Sequence, residues 1–192
     1  DLDLLQFADE HPNIELSFDF SDRRSNLIED GIDLAVRITS QLQPGDVARK
    51  LGECRLLTLA SPQYLSRHGT PQTPAQLSQH VCLAYAHDTL HTTWSYLDHG
   101  EEVSVCVQGR IAANNGEALM QVAAHGMGIT RQPDFIAAPF LQDARVVKVL
   151  DAYQPEPLGI YAILPSNRYI PLRVAVLMDF ISRRLQGEKV GN

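Results

Sequence analysis

The stretch that most limits what this chain can become is Ser21 to Ile38, SDRRSNLIEDGIDLAVRI. It reads as a helix start, a helix stop and a hydrophobic strand in direct succession. Ser21, Asp22 and Ser25 are residues whose side-chain oxygens accept from the free N–H groups of a first helical turn. Leu27 and Ile28 are expected on the buried side of that helix. Gly31 supplies the left-handed residue that closes it. Ile32 to Ile38 then forms an apolar strand carrying Asp33 near its start and Arg37 near its end. A helix running into such a strand is the repeating unit of α/β sheets. An arginine near a strand's carboxyl end lies where open α/β sheets bind ligands.

Around this unit the chain has 192 residues, enough for one large domain or two small lobes. Its formal net charge of −7 disfavours direct nucleic-acid binding, which needs a basic surface. Cys54, Cys82 and Cys106 are odd in number and widely spaced, so they suggest a reducing cytoplasm rather than a disulfide framework. Neither a membrane-length apolar run nor a signal peptide is read, and no membrane partner is expected. The first residue, Asp1, falls inside a helical pattern, so the chain reads as a piece of a longer protein.

In order, Leu2 to Ala8 fits a one-sided helix stopped by His11-Pro12, and Ile14 to Phe20 alternates as a half-buried strand. With the opening unit this gives helix, strand, helix, strand, which predicts a parallel sheet with right-handed crossovers. After the turn Gln41 to Asp46, strands are predicted over Val47–Gly52 and Arg55–Ala60. A helix capped by Ser61, with Pro62 at its first position, runs to Gly69. Short strands follow at Val81–Tyr85, Trp94–Leu97 and Val103–Val107, with Cys106 expected to pack. Arg110–Ala113 is a further candidate strand. Asn114-Asn115-Gly116 introduces a helix from about Glu117 to His125, and Gly126 ends it. Gly128–Arg131 returns as a strand, Pro133 opens a helix through Phe140, and Val146–Leu150 and Ile160–Leu164 are strands. The last helix starts at Pro171 with Val174, Leu177, Met178, Ile181 and Leu185 on one side.

Four passages in this order resemble the effector-binding domain of LysR-type transcriptional regulators. They are SDRRSNLIEDGIDLAVRI (21–38), LASPQYLSRHGTPQTPAQLSQHVCL (59–83), NNGEALMQVAAHGMGITRQPDF (114–135) and IYAILPSNRYIPLRVAVLMDFI (160–181). The resemblance covers nearly the whole chain. It implies an α/β fold of two Rossmann-like lobes, the type 2 periplasmic-binding-protein fold, joined by two crossover strands. Lobe I would comprise residues 1–60 and 162–192, and lobe II residues 61–161. The first strand of lobe I and the amino-terminal winged helix-turn-helix would be absent from this chain. DNA would then be reached only through that missing domain, and the protein would be a homodimer or tetramer in the cytoplasm of a bacterium. The resemblance suggests antiparallel pairing of lobe I with a partner's lobe II, through Ile14–Ile28 and the helix Glu117–His125.

The same resemblance places a small effector between the lobes. Carried over by position, lobe I offers Ser21, Asp22, Arg37 and Thr39, and lobe II offers Asn114, Asn115, Gly116, Thr130, Arg131, Gln132 and Pro133. Independently of any family, helix amino termini carry partial positive charge and free N–H groups, which suits a carboxylate or aromatic acid. Each residue also has a plainer reading. Ser21 and Asp22 serve as caps, Arg37 pairs with Asp33 or Asp46, Asn114 and Asn115 form a turn and cap, and Thr130–Gln132 belongs to a lobe surface. His87 and His91 lie four apart in a polar segment without a third ligand and read as loop. No nucleophile motif, Walker loop or dinucleotide fingerprint is found, so neither an enzyme nor a cofactor is expected. The alternative function is a solute-binding protein of a transporter, which shares the fold.

Overall fold

The computed structural model describes residues 4–17, 26–85, 92–166 and 169–187. The chain divides into two compact units, residues 1–54 with 158–192, and residues 55–157.

In the first unit, α1 (Leu4–Glu10) buries Phe7, whose ring meets Phe180 edge-on with centroids 5.2 Å apart. Ile14–Ser17 has no strand pairing, and the rest of that expected strand, like the capping residues Ser21, Asp22 and Ser25, lies outside the described residues. The helix expected before Gly31 is described from Asn26 onward, and that part is a set of turns. Its end is a Schellman closure: Ile32 N–H donates to Leu27 O at 2.8 Å, Gly31 N–H to Ile28 O at 3.4 Å, and Gly31 has φ of +65°. Leu27 is buried there, but Ile28 is 74% exposed, contrary to the sequence expectation of a shared buried side. A single turn presents one side chain inward, where a full helix would present both.

The strands β1 (Ala35–Thr39) and β2 (Val47–Cys54) flank β10 (Leu158–Leu164), and both pair with it antiparallel. The strand expected as the parallel neighbour of β1, Ile14–Phe20, is not formed over its described part; β1 instead pairs with β10, antiparallel, and β2 runs the same way as β1 on the other side of β10. The reason is topological. β10 follows β2 by more than 100 residues and enters between β1 and β2 in the opposite direction, and such a connection is invisible to local periodicity. The helix α5 (Leu172–Gly187) buries Val174, Ile181 and Leu185 on one stripe. It packs on β2, where Ser182 Oγ donates to Leu51 O at 3.0 Å and Leu185 lies against Gly52.

The second unit is built on a five-stranded sheet, β7-β4-β8-β3-β9. These are β3 (Leu56–Ala60), β4 (Cys82–Tyr85), β7 (Ala112–Ala113), β8 (Ile129–Pro133) and β9 (Val147–Val149). β4 runs parallel to β7 and β8, while β3 is antiparallel to β8 and β9. Side chains alternate across a strand, and the register uses this. Leu57, Leu59, Leu83, Thr130 and Gln132 face the helices α3 (Gly116–Ala124) and α4 (Asp134–Gln142). Ala60, Cys82 and Ile129 face the other way, into a core with Tyr64, Leu77, Trp94 and Tyr96. That second layer comprises α2 (Pro62–His68), a short 3-10 helix (Pro74–Gln79) and the hairpin of β5 (Thr92–Asp98) with β6 (Glu101–Val107). Cys106 is exposed, not packed: Val105 and Val107 take the inward positions of β6, and alternation turns the residue between them outward.

Candidate functional site

The candidate residues of the second unit gather where β8 passes the amino end of α3. Asn115 caps this helix, its Oδ1 accepting from Ala118 N–H at 3.0 Å. That leaves the first N–H groups of the helix beside Gly116, at the positive end of its dipole. Gly116 is buried and has no room for a side chain. A Cβ there would lie 2.6 Å from Gln132 Oε1 and 2.7 Å from Tyr85 OH. The backbone of α3 is therefore pressed directly onto a pair of polar side chains.

Those side chains form a directed chain of hydrogen bonds. Tyr85 OH donates to Gln132 Oε1 at 2.9 Å, Gln132 Nε2 donates to Thr130 Oγ1 at 3.1 Å, and Thr130 Oγ1 donates to Leu83 O at 3.3 Å. Thr130 and Gln132 are both fully buried. A buried amide left unpaired would cost about 1–3 kcal/mol, so the network fixes the orientation of each member. Tyr85 was not among the sequence candidates. Its signal was present: it lies two residues beyond Leu83 on β4 and so shares the face of β8's Thr130 and Gln132.

Arg131 does not join this group. It projects from the opposite face of β8, where its guanidinium lies 5.3 Å from the Trp94 ring centroid and 5.6 Å from that of Tyr96. Its Nη1 also donates to Ser95 O at 2.8 Å, so it ties the hairpin to the sheet. Tyr96 OH is 2.9 Å from Thr58 Oγ1 on the same face, and burial pushes its phenol up to about 12. Pro133 is buried and leads into α4, whose first residue Asp134 closes on Arg55 through N–H to O at 2.9 Å. Asn114 is exposed.

In the first unit, Arg37 Nη1 is 3.2 Å from Asp46 Oδ2, and the same carboxylate oxygen accepts from Gln43 N–H at 3.1 Å. Of the two acidic neighbours available in sequence, Asp46 takes the arginine; Asp33 instead meets Arg173 at 3.3 Å. The Arg37–Asp46 pair borders an open hollow of about 220 Å³ with Leu27, Ile28, Val47 and Ile163–Pro165. Thr39 Oγ1 is engaged locally, donating to Gln41 O at 2.8 Å and accepting from Gln41 N–H at 3.1 Å. Ser21 and Asp22, like His87 and His91, lie outside the described residues. Among the described residues no cluster of His, Cys, Asp or Glu is arranged to hold a metal ion, and no helix is long and apolar enough to cross a membrane.

The architecture is that of the regulatory domains of LysR-type regulators, a two-lobed α/β fold of the periplasmic-binding-protein kind. The structure of CrgA, a LysR-type transcriptional regulator from Neisseria meningitidis, superposes with a TM-score of 0.82 at 29% identity, covering 98% of this chain and 63% of that one. Residues 4–186 match the family model described as LysR substrate binding domain, and the chain belongs to that family. An uncharacterized HTH-type transcriptional regulator from Haemophilus influenzae is 30% identical over 168 residues, 88% of this chain and 58% of its own length. The HTH-type transcriptional activator TtdR of Escherichia coli is 30% identical over 173 residues, 90% of this chain and 56% of its own. The chain thus spans a little over half the length of these curated relatives. They are transcriptional regulators, not enzymes, and none of them supports the transporter alternative.

Proposed function

We infer that this domain senses a small anionic metabolite, a carboxylate or aromatic acid, for a DNA-binding transcription factor. The effector lies between the two lobes, held on the second-lobe side at the amino end of α3. The observation that carries this reading is the bare backbone of Gly116 against Gln132 Oε1 and Tyr85 OH, in the first turn of α3, which Asn115 caps. There N–H donors, a helix dipole and an oriented amide converge within one side chain's reach, in surroundings where Thr130 and Gln132 are out of water. Asn114 and Asn115 border the exposed side. Ser21, Asp22 and Thr39 form the first-lobe share of the site, while Arg37 is held by Asp46 and would reach an anion only by sharing that partner.

Effector binding biases lobe closure, and closure alters how subunits pair, through Ile14–Ile28 and the exposed side of α3. The intact protein works in the cytoplasm as a homodimer or tetramer and meets DNA through a separate amino-terminal domain. The test is a thermal-shift screen of the intact protein against small carboxylates and aromatic acids. A ligand that binds only the folded form, at about 100 times its Kd, stabilises by about 2.7 kcal/mol. A panel in which neutral amides shift the protein and no acid does would overturn the anionic assignment.

A further inference from the structure

Away from the candidate site, one part-buried hydrogen bond joins α2 to the residues just before β4. Tyr64 is 1% exposed, and its ring stacks on His68 with centroids 4.4 Å apart. Its hydroxyl is 3.0 Å from His80 Nδ1 and accepts from Val81 N–H, also at 3.0 Å. Since the phenolic oxygen is already an acceptor for Val81, the arrangement that uses its single proton sends that proton to His80 Nδ1. His80 must then be neutral, with Nδ1 unprotonated. We propose that the Tyr64–His80 contact is a pH-operated latch, closed when His80 is neutral and opened when it takes up a proton. A protonated Nδ1 has no lone pair to offer, so two N–H groups would face one phenolic oxygen whose own proton had lost its acceptor.

The surroundings favour the closed form at neutral pH. Burial holds His80 below its usual value, and His68 on α2 acts in the same direction. The hydroxyl bond also favours the neutral ring. The other ionisable groups on the elements packed around it do not oppose this. Arg67 on α2 and Arg110 beyond β6 are cations. Tyr64 and Cys82 stay uncharged, burial holding the Tyr64 phenol above its usual value and pushing the Cys82 thiol to about 12. The 3-10 helix Pro74–Gln79 carries no ionisable side chain. The acids of β6, Glu101 and Glu102, lie at the hairpin end. Gln108, whose O accepts from Cys82 N–H, is six residues from Glu102, roughly 20 Å along an extended strand and beyond a Debye length of about 8 Å.

The latch is also placed to matter. Val81 O accepts from Ile129 N–H at 2.9 Å, so the residue after His80 pins the start of β8, the strand that carries Thr130 and Gln132. The sign follows from the lowered value. The folded protein binds fewer protons at His80 than the unfolded chain. Its contribution to stability is therefore present above about pH 6.5 and is lost as pH falls through the lower folded value.

The experiment uses the intact protein with histidine-selective isotope labelling, together with thermal melts at pH 7.5 and pH 5.5. His80 in the wild type should titrate below 6.5, and Tyr64→Phe should move that midpoint upward. His80→Asn keeps an acceptor near the Nδ1 position but cannot titrate, so it should lose less Tm on acidification than the wild type. An equal loss of Tm in wild type and His80→Asn would overturn the latch. Should His80→Asn not fold at pH 7.5, the titration decides alone: a His80 midpoint at or above 6.5, or one that Tyr64→Phe leaves in place, rejects it.

Discussion

At the scale of the residue, Gly116 and the side chains it touches set the shape of the candidate site. A methyl group on Gly116 would need the space of Gln132 Oε1 and Tyr85 OH, and both are tied into the network that ends at Leu83 O. Gly116→Ala should therefore destabilise by about 1–3 kcal/mol, measured by urea denaturation. An unchanged midpoint would show that the polar pair yields freely. Part of this site was legible from the chain alone. The polar run Thr130-Arg131-Gln132 in an otherwise apolar strand stood out, and so did the asparagines before a helix. What could not be read was which of the three faces which way. Alternation gives Thr130 and Gln132 one face, but only the pairing Leu57↔Gln132 and Thr58↔Arg131 assigns α3 to that face and the hairpin to the other. Arg37 shows the same limit. Its pairing with an acid was foreseeable, but choosing Asp46 over Asp33 required the fold of the Gln41–Asp46 turn.

At the scale of the element, local chemistry was the dependable guide. Ser61 accepts from Tyr64 N–H at 3.0 Å and Pro62 opens α2, as the Ser-Pro pair predicts. Ser61 is nearly buried, so Ser61→Ala should cost about 1 kcal/mol, read from the same denaturation curves; no loss would mean that water or a neighbour caps α2 instead. The turn Asp98-His99-Gly100 gives φ of +51° at His99 and +87° at Gly100, the left-handed pair that a two-residue hairpin needs. Boundaries set by Gly31 and Gly126 were equally legible, because a helix closure needs a residue tolerant of positive φ. Strand order was not. The first unit looked parallel because its helices and strands alternate in sequence. β10, more than 100 residues later, inserts between β1 and β2 and makes each pairing antiparallel.

At the scale of the whole molecule, the chain divides into two units at Cys54/Arg55 and Pro157/Leu158, just before the strands β3 and β10. The domain belongs to the LysR substrate binding domain family, and its net charge of −7 disfavours DNA contact by this chain itself. The anion proposed at the amino end of α3 is tested most directly by a charge introduced at one atom. Asn115→Asp preserves the cap, because aspartate accepts the Ala118 N–H as well as asparagine does, and a carboxylate there suits the helix dipole. The variant should fold with unchanged or slightly higher stability. Yet it places negative charge where the effector's own charge would lie. Calorimetric titration of an acid found in the screen should show binding weakened about tenfold or more, a cost of about 1.4 kcal/mol, while Tm in the absence of ligand holds. An acid that binds Asn115→Asp as tightly as the wild type would place the anion elsewhere and contradict the account.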